Sequence, residues 1–141
     1  MFLLDTNVVS ELRKAGAGKA DANVVAWASA VPPETLYLSV ITVLELEMGV
    51  LTMERRDPAQ GALLRQWLEN QVFRSFEGRV LPVDIAIARK CAELHVPDKR
   101  ADRDALIAAT GVVHRMRVVT RNVGDFEGVG IDVINPWISM S

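Results

Sequence analysis

Met1-Phe2-Leu3-Leu4-Asp5-Thr6-Asn7 opens with an apolar run too short for a surface helix and ends that run on an acid. Phe2 to Leu4 reads as a strand buried on both faces, the kind that builds parallel sheets. Asp5 then stands at the carboxyl end of the strand, where open α/β sheets place their ligands. A carboxylate there adds little to packing, so it points to chemistry. The competing use is local, since Asp is a preferred N-cap for a helix that follows.

Outward from this segment, strand and helix signals alternate. A helical stretch follows Asp5, and Gly16-Ala17-Gly18-Lys19 separates it from a second, over about Asp21 to Val31, with Val24, Val25, Ala28 and Val31 at helical spacing. Pro32-Pro33 stops that helix. Thr35 to Val40 reads as a strand. The next helix carries Ile41, Leu44, Met48 and Leu51 as one apolar stripe, with Val43, Leu46 and Val50 opposite. A helix apolar almost all round either is sandwiched inside the monomer or offers a second face to another copy.

A longer helix is expected from Asp57 to Phe76, broken by Gly78, with a third strand at Arg79 to Val83. Asp84 is placed to cap a helix reaching about Leu94, and His95-Val96-Pro97-Asp98 is a loop. A helix from Asp102 to about His114, a strand at Arg117 to Val119 and a final strand at Asp132 to Ile134 complete the chain. Strands alternating with helices predict an α/β fold of three layers, α/β/α, around a mainly parallel central sheet of about five strands. No linker or internal repeat divides the sequence, so residues 1–141 are expected to form a single domain.

Composition narrows the classes. Half of the 141 residues are hydrophobic, yet no apolar run approaches the roughly 20 residues that span a bilayer. Asp5 interrupts the start too early for a signal peptide, and the single cysteine, Cys91, allows no internal disulfide, so a cytoplasmic location is expected. The net charge of −2 argues against nucleic-acid binding by bulk charge. Local basic clusters stand at Arg13-Lys14, Arg55-Arg56, Lys99-Arg100 with Arg103, and Arg115, Arg117 and Arg121. Solvated helix faces and helix C-termini account for such clusters equally well.

Four acids share one structural logic. Asp5 follows the first strand, Glu45 lies in the helix after the second, Asp104 sits in the first turn of its helix, and Asp125 follows the fourth strand. In a parallel sheet these positions converge on one edge. Carboxylates gathered there repel each other unless a cation sits among them. Oxygen donors without a His or Cys set favour a hard ion such as Mg²⁺ or Mn²⁺. Each acid also has a bland use: Asp104 favours the helix dipole, Asp102 caps, and Asp125 stabilises a turn. Periodicity does not separate Glu45 from Glu47, which flank the apolar face on opposite sides. Asp104 shares a face with Ile107, Ala108 and Gly111, which turns it inward.

Leu4-Asp5-Thr6-Asn7-Val8, Ile41-Thr42-Val43-Leu44-Glu45-Leu46, Asp104-Ala105-Leu106-Ile107-Ala108-Ala109-Thr110 and Thr120-Arg121-Asn122-Val123-Gly124-Asp125-Phe126 resemble the PIN-domain ribonucleases. The chain looks like a VapC-type toxin of type II toxin–antitoxin pairs, close to the FitB-like branch, and Asn135-Pro136-Trp137 fits that branch. The resemblance covers essentially the whole chain. It implies a metal-dependent endoribonuclease whose metal-binding and catalytic acids fall on Asp5, Glu45, Asp104 and Asp125, and it selects Glu45 over Glu47. It places Thr6, Asn7, Thr120 and Asn122 as supporting residues that hold the acids or contact the ion and its waters. It also implies Mg²⁺ or Mn²⁺ as cofactor, a homodimer, and an antitoxin partner that blocks the active site, with DNA reached only through the antitoxin. Asp102 and Arg103 depart from the family pattern, where small residues are common, and Asp102 is expected to act as the helix cap.

Hydrolysis of a tRNA or mRNA phosphodiester by metal-activated water follows from such a site. An acidic cluster repels RNA, so basic residues at its rim must offset it; Arg13, Lys14, Lys99, Arg100 and Arg121 are the candidates. His95 and His114 are isolated and read as surface or loop residues, and Cys91 reads as helix packing. Two other classes compete. A haloacid dehalogenase-like phosphatase wants a second Asp two residues after the first, where Asn7 stands. A non-catalytic α/β module acting only in a regulatory complex would bind cations weakly or not at all.

Overall fold

In the computed structural model, which describes residues 1–138, five parallel strands form the central sheet in the order β3-β2-β1-β4-β5. β1 (Phe2–Leu4) pairs with β2 (Leu36–Ser39) on one side and β4 (Arg117–Val119) on the other, in register Phe2 with Leu36 and with Arg117. β3 (Val80–Leu81) and β5 (Val133–Ile134) form the edges. Leu3 and Leu4 are both fully buried, but in opposite directions. Leu4 joins Leu38 and Val119 on one face, while Leu3 joins Val118 on the other. This is the double-sided burial that the short apolar run predicts.

α1 (Thr6–Arg13), α2 (Ala22–Ala30), α3 (Val40–Arg56) and α4 (Pro58–Trp67) belong to the Leu4 face, through Val8, Val9, Val24, Leu46, Val50 and Leu64. α4 continues through a π-helical segment at Leu68–Val72 into α5 (Phe73–Ser75), so the expected long helix is one run with a wider turn inside it. Leu68 and Val72 at the two ends of that turn are both buried in the core. Gly78 adopts a φ of 77° and turns the chain into β3. α6 (Ile85–Leu94) and α7 (Asp102–His114) cover the opposite face, with Ile107 and Ala108 against Leu3 and Val118. The three-layer α/β/α architecture is therefore as expected.

Caps fix most helix starts as the side chains demand. Asp21, Ser39, Asp57 and Asp84 each accept a hydrogen bond from a backbone N–H of the first turn. α7 departs from expectation. Its N-cap is Ala101, which has no side chain to bond, and Asp102 is the first helical residue instead. Asp102 reaches His95, whose Nε2 lies 3.5 Å from Oδ1.

α3 and α4 cross closely. The α-carbon of Gly61 faces the backbone of Glu54, and a Cβ there would stand 2.3 Å from the Glu54 Cα. Arg65 of α4 bridges the same crossing, with Nη1 2.6 Å from Glu47 and Nη2 3.1 Å from Glu54. The inward face of α3 consists of Thr42, Leu46 and Val50. Leu44, Met48 and Leu51 point outward, 46–55 % exposed, so α3 is not sandwiched inside the monomer.

Candidate active site at the carboxyl edge of the sheet

Strand order reverses at β1: the chain proceeds outward to β2 and β3, then returns to lay β4 on the other side of β1. The loops leaving β1 and β4 part there and open a crevice at the carboxyl edge. Asp5 lies at this point. It is 6 % exposed, and its backbone N–H bonds to the carbonyl of Val119 at 2.9 Å, an extra rung of the ladder to β4. The local and the chemical uses of Asp5 coexist, because one oxygen caps α1 through the Thr6 N–H at 2.8 Å.

The other oxygen is held by a polar triangle. The Thr120 hydroxyl donates to Asp5 Oδ2 at 2.8 Å, and Asn7 Nδ2 approaches that oxygen at 3.4 Å. Thr120 has no exposure, and its oxygen also accepts from Asn7 Nδ2 at 3.2 Å and from the Asn122 N–H at 3.0 Å. One donor and two acceptor sites on that hydroxyl are thus all used. Asn7 Oδ1 accepts the Arg121 N–H at 3.3 Å, tying α1 to the loop after β4. Thr120 and Asn7 therefore touch the acid through their side chains, whereas Asn122 takes part through its backbone.

Glu45 arrives from α3. Its Oε1 accepts the Thr6 hydroxyl at 2.6 Å, and Thr6 Oγ1 lies 3.2 Å from the buried hydroxyl of Thr42. Since Thr6 has one proton and the carboxylate is the stronger acceptor, Thr42 is the donor in that second bond. Glu47 instead faces away, paired with Arg65. Long-range partners on α1 and α4 thus separate two acids that helical periodicity left equivalent. Asp104 occupies the first turn of α7, above the buried Ile107, Ala108 and Gly111, and Asp125 lies in the 3₁₀ turn Val123–Phe126, anchored by buried Phe126.

Electrostatics shows that these acids share one field. Burial, first of all, pushes the Asp5 carboxyl above its ordinary value, the Thr120 and Thr6 bonds pull it down, and the charges of Glu45 and Asp125 add to the rise. Burial also raises Asp104, reinforced by Asp125, Asp5 and Glu45 and opposed by Arg103. Asp5 and Asp104 resist ionisation because water is scarce around them and other acids are near. Among the described residues, no three acidic, His or Cys side chains converge tightly enough to hold an ion between them as they stand. The donor set nevertheless fits a hard divalent cation in kind, being oxygen only and graded from buried Asp5 through half-buried Glu45 and Asp104 to exposed Asp125.

The basic candidates divide. Arg100 is committed to the fold, donating to the carbonyls of Leu94, Asp125 and Glu127 at 3.2, 3.4 and 2.8 Å. It braces the loop that carries Asp125. Arg121 is exposed, with its guanidinium 5.3 Å from the centroid of Trp137. Arg13 lies over Trp67 at 6.0 Å, Lys14 pairs with Glu11 at 3.2 Å, and Lys99 is exposed. The sequence places Arg103 in a basic cluster with Lys99 and Arg100 and marks it as a departure from the family pattern, without naming it a site residue; its Nη1 lies 3.6 Å from Glu45 Oε2. The available signal was its place one residue before Asp104. His95 accepts the Arg100 N–H at Nδ1, 3.1 Å, and so shapes the turn into α7. Cys91 is buried among Ile87, Ala105 and Ala109 as packing, and that burial raises its thiol pKa.

Comparison with known proteins identifies the family. The PIN domain model matches residues 2–130. The VapC ribonuclease Y4jK of Sinorhizobium fredii is 43 % identical, over 97 % of this chain and 98 % of that protein. The toxin FitB of Neisseria gonorrhoeae is 37 % identical over 97 % of this chain and 99 % of its own. The crystal structure of FitAcB from Neisseria gonorrhoeae superposes with a TM-score of 0.89 at 35 % identity, covering 99 % of this chain and 100 % of the other. The chain accordingly belongs to the PIN-domain family, on the branch that includes the VapC and FitB proteins.

Proposed function

We propose that this protein is a metal-dependent endoribonuclease, a single PIN domain over residues 1–141 that acts as the toxin of a toxin–antitoxin pair. The observation that carries the reading is the buried, fully hydrogen-bonded Asp5 at the sheet's switch point, within the field of Glu45, Asp104 and Asp125. A carboxylate costs too much to bury there for packing alone. Similarity to a VapC ribonuclease and to a FitB toxin over nearly the whole chain supports the same conclusion.

Asp5, Glu45, Asp104 and Asp125 would hold Mg²⁺ or Mn²⁺. When bound, such an ion lowers the pKa of a coordinated water and neutralises charge on the scissile phosphate. The chain's own part is positioning. Thr120 and the Thr6 N–H fix both oxygens of Asp5 and keep it ionisable despite burial, while the Thr6 hydroxyl aims Glu45. Arg121, Lys99, Arg13 and Lys14 at the rim offer charge to the RNA backbone, with Arg121 presented flat on Trp137. Arg100 keeps the Asp125 loop in place rather than meeting substrate. The exposed Leu44, Met48 and Leu51 stripe of α3 is the surface for a second copy of the chain. Structural neighbours described as toxin–antitoxin complexes, and as FitAB bound to an IR36 DNA fragment, support an antitoxin partner through which DNA is reached. No helix among the described residues is long and apolar enough to cross a membrane, which fits a cytoplasmic role.

Purified protein incubated with mixed tRNA and mRNA should cleave with Mg²⁺ or Mn²⁺ and not with EDTA. Asp5→Asn, with its fold verified by circular dichroism, should lose activity by at least ~100-fold, more than the loss of a supporting group around a metal. Undiminished cleavage by Asp5→Asn would remove Asp5 from the chemistry. Absence of cleavage by the native chain, with no cation binding, would leave a non-catalytic regulatory module.

A further inference from the structure

The cation nearest the four acids belongs to the chain itself. Glu45 uses its two oxygens differently: Oε1 is held by Thr6, while Oε2 faces Nη1 of Arg103 at 3.6 Å. The same nitrogen lies 3.6 Å from Met48 Sδ, one turn further along α3, so the guanidinium rests across that helix. Its side chain is 49 % exposed, against 25 % for Glu45, and is therefore free to turn at its outer end. Of the other basic residues of this edge, Arg100 is held on carbonyls, Arg121 lies against Trp137, Arg13 against Trp67, Lys14 pairs with Glu11, and Lys99 is exposed; none pairs with a carboxylate of the cluster. Among the described residues Arg103 is the one basic side chain within 4.0 Å of a side-chain carboxylate of the four acids. A recess of about 380 Å³, lined by Glu45, Ala101, Asp102, Arg103 and Asp104, opens beside the pair.

We propose that Arg103 is a displaceable counter-ion: it pairs with Glu45 while the cluster lacks a divalent cation, and turns to an RNA backbone phosphate in the adjoining recess once that cation claims Glu45 Oε2. The proposal rests on the metal-dependent reading above. A guanidinium and a divalent cation sharing one carboxylate oxygen repel each other, so one must yield, and Arg103 is the one on a long exposed stem. Its planar fork of donors then suits a phosphate, which accepts two parallel hydrogen bonds. Neutralising Arg103 should therefore tighten cation binding and weaken RNA binding. A side chain that merely braced α7 against α3 would shift both in one direction, or neither.

The test uses the full chain as native protein, Arg103→Gln, Arg103→Lys and Glu45→Gln. Mn²⁺ binding is measured by calorimetry at low ionic strength without RNA, and KM and kcat for RNA cleavage at saturating Mn²⁺. Arg103→Gln should bind Mn²⁺ about 5- to 10-fold more tightly, because an opposing charge has gone. Its KM should rise ~10-fold with kcat within ~3-fold, the signature of lost ground-state binding. Arg103→Lys should return Mn²⁺ affinity to the native value and restore KM only in part, since an ammonium lacks the fork. Unchanged or weaker Mn²⁺ binding by Arg103→Gln, or an unchanged KM, would overturn the proposal. Failure of the metal centre itself looks different: the native chain and Glu45→Gln would then both bind no Mn²⁺.

Discussion

Replacing Thr120 by Val tests the physical account of the site more sharply than removing an acid. Thr120 is fully buried and Val is nearly isosteric, so the change deletes one hydroxyl and little volume. Three contacts go with it: the bond to Asp5 Oδ2 at 2.8 Å, that from Asn7 at 3.2 Å and that from the Asn122 N–H at 3.0 Å. Asn122 is exposed and water replaces its partner, so the first contact dominates. A hydrogen bond to a buried charge contributes ~1.5–3 kcal/mol, and we expect a loss of about 2 kcal/mol near neutral pH. For a chain of this size that lowers Tm by ~6 °C. The loss must depend on pH, and its sign follows from the shift. The folded pKa of Asp5 already lies above its ordinary value because the group is buried, and the Thr120 bond lowers it. Without the bond the folded pKa climbs further. Because it is raised, the group's contribution to stability is fully present below the unfolded pKa and is lost as pH rises through the folded pKa. That loss is larger in Thr120→Val, so the two proteins diverge above the native Asp5 pKa and converge as pH falls toward about 4. Thermal melts of both proteins in EDTA from about pH 4 to 8 measure the difference directly. A gap of equal size across that range would refute the reasoning, since it would place the cost in packing and not in the charge on Asp5.

Two further outcomes probe the frame around the site. Gly61→Ala should destabilise by ~3 kcal/mol despite the ~1 kcal/mol gain in helix propensity, because the new Cβ meets Glu54 backbone that has nowhere to go; an unchanged urea midpoint would show that α3 and α4 do not cross so closely. Leu44→Glu should convert a dimer to monomer in sedimentation while changing the monomer's own stability by no more than ~0.5 kcal/mol; a native chain that sediments as a monomer at all concentrations would rule out that face as the contact between copies.

Where local signals were redundant, the fold was legible in the sequence. Phe2 to Leu4 was short, apolar and ended by an acid, and it is β1 with the two-sided burial that follows. α7 was expected from Asp102 to His114 and has those bounds. Its cap was misread, because Asp is the better capping residue in general, but the chain enters from the His95 turn one residue earlier and leaves Ala101 in the capping conformation. α3 was the harder case. Its two sides are equally apolar, so periodicity chose a stripe that proves to be the exposed one. Only tertiary partners break that tie: Leu46 and Val50 meet the core of the Leu4 face, and Leu44 and Met48 do not. The π turn at Leu68–Val72 carries no local marker, for neither Gly nor Pro interrupts it; the burial of Leu68 and Val72 accompanies it instead.

The same distinction separates the parts of the site. The position of Asp5 was legible because the end of a buried strand announces itself and a polar residue there has few structural uses, whereas Asp125 lies further out, in an exposed 3₁₀ turn after β4. Glu45 and Glu47 sit two positions apart on one helix, and the choice between them is made by Thr6 on α1 and Arg65 on α4. That division has an energetic logic. Arg65 gathers Glu47, Glu54 and Glu69, neutralising the acids on the structural side of the α3–α4 crossing. On the crevice side, four acids keep a single pairing, that of Arg103 with Glu45. Burial first, and the excess of negative charge after it, raise Asp5 and Asp104, a standing cost to the fold. It is tolerable because the sheet beneath is buried on both faces, and under the metal-dependent reading proposed above a divalent cation relieving it would bind with that repulsion in its favour.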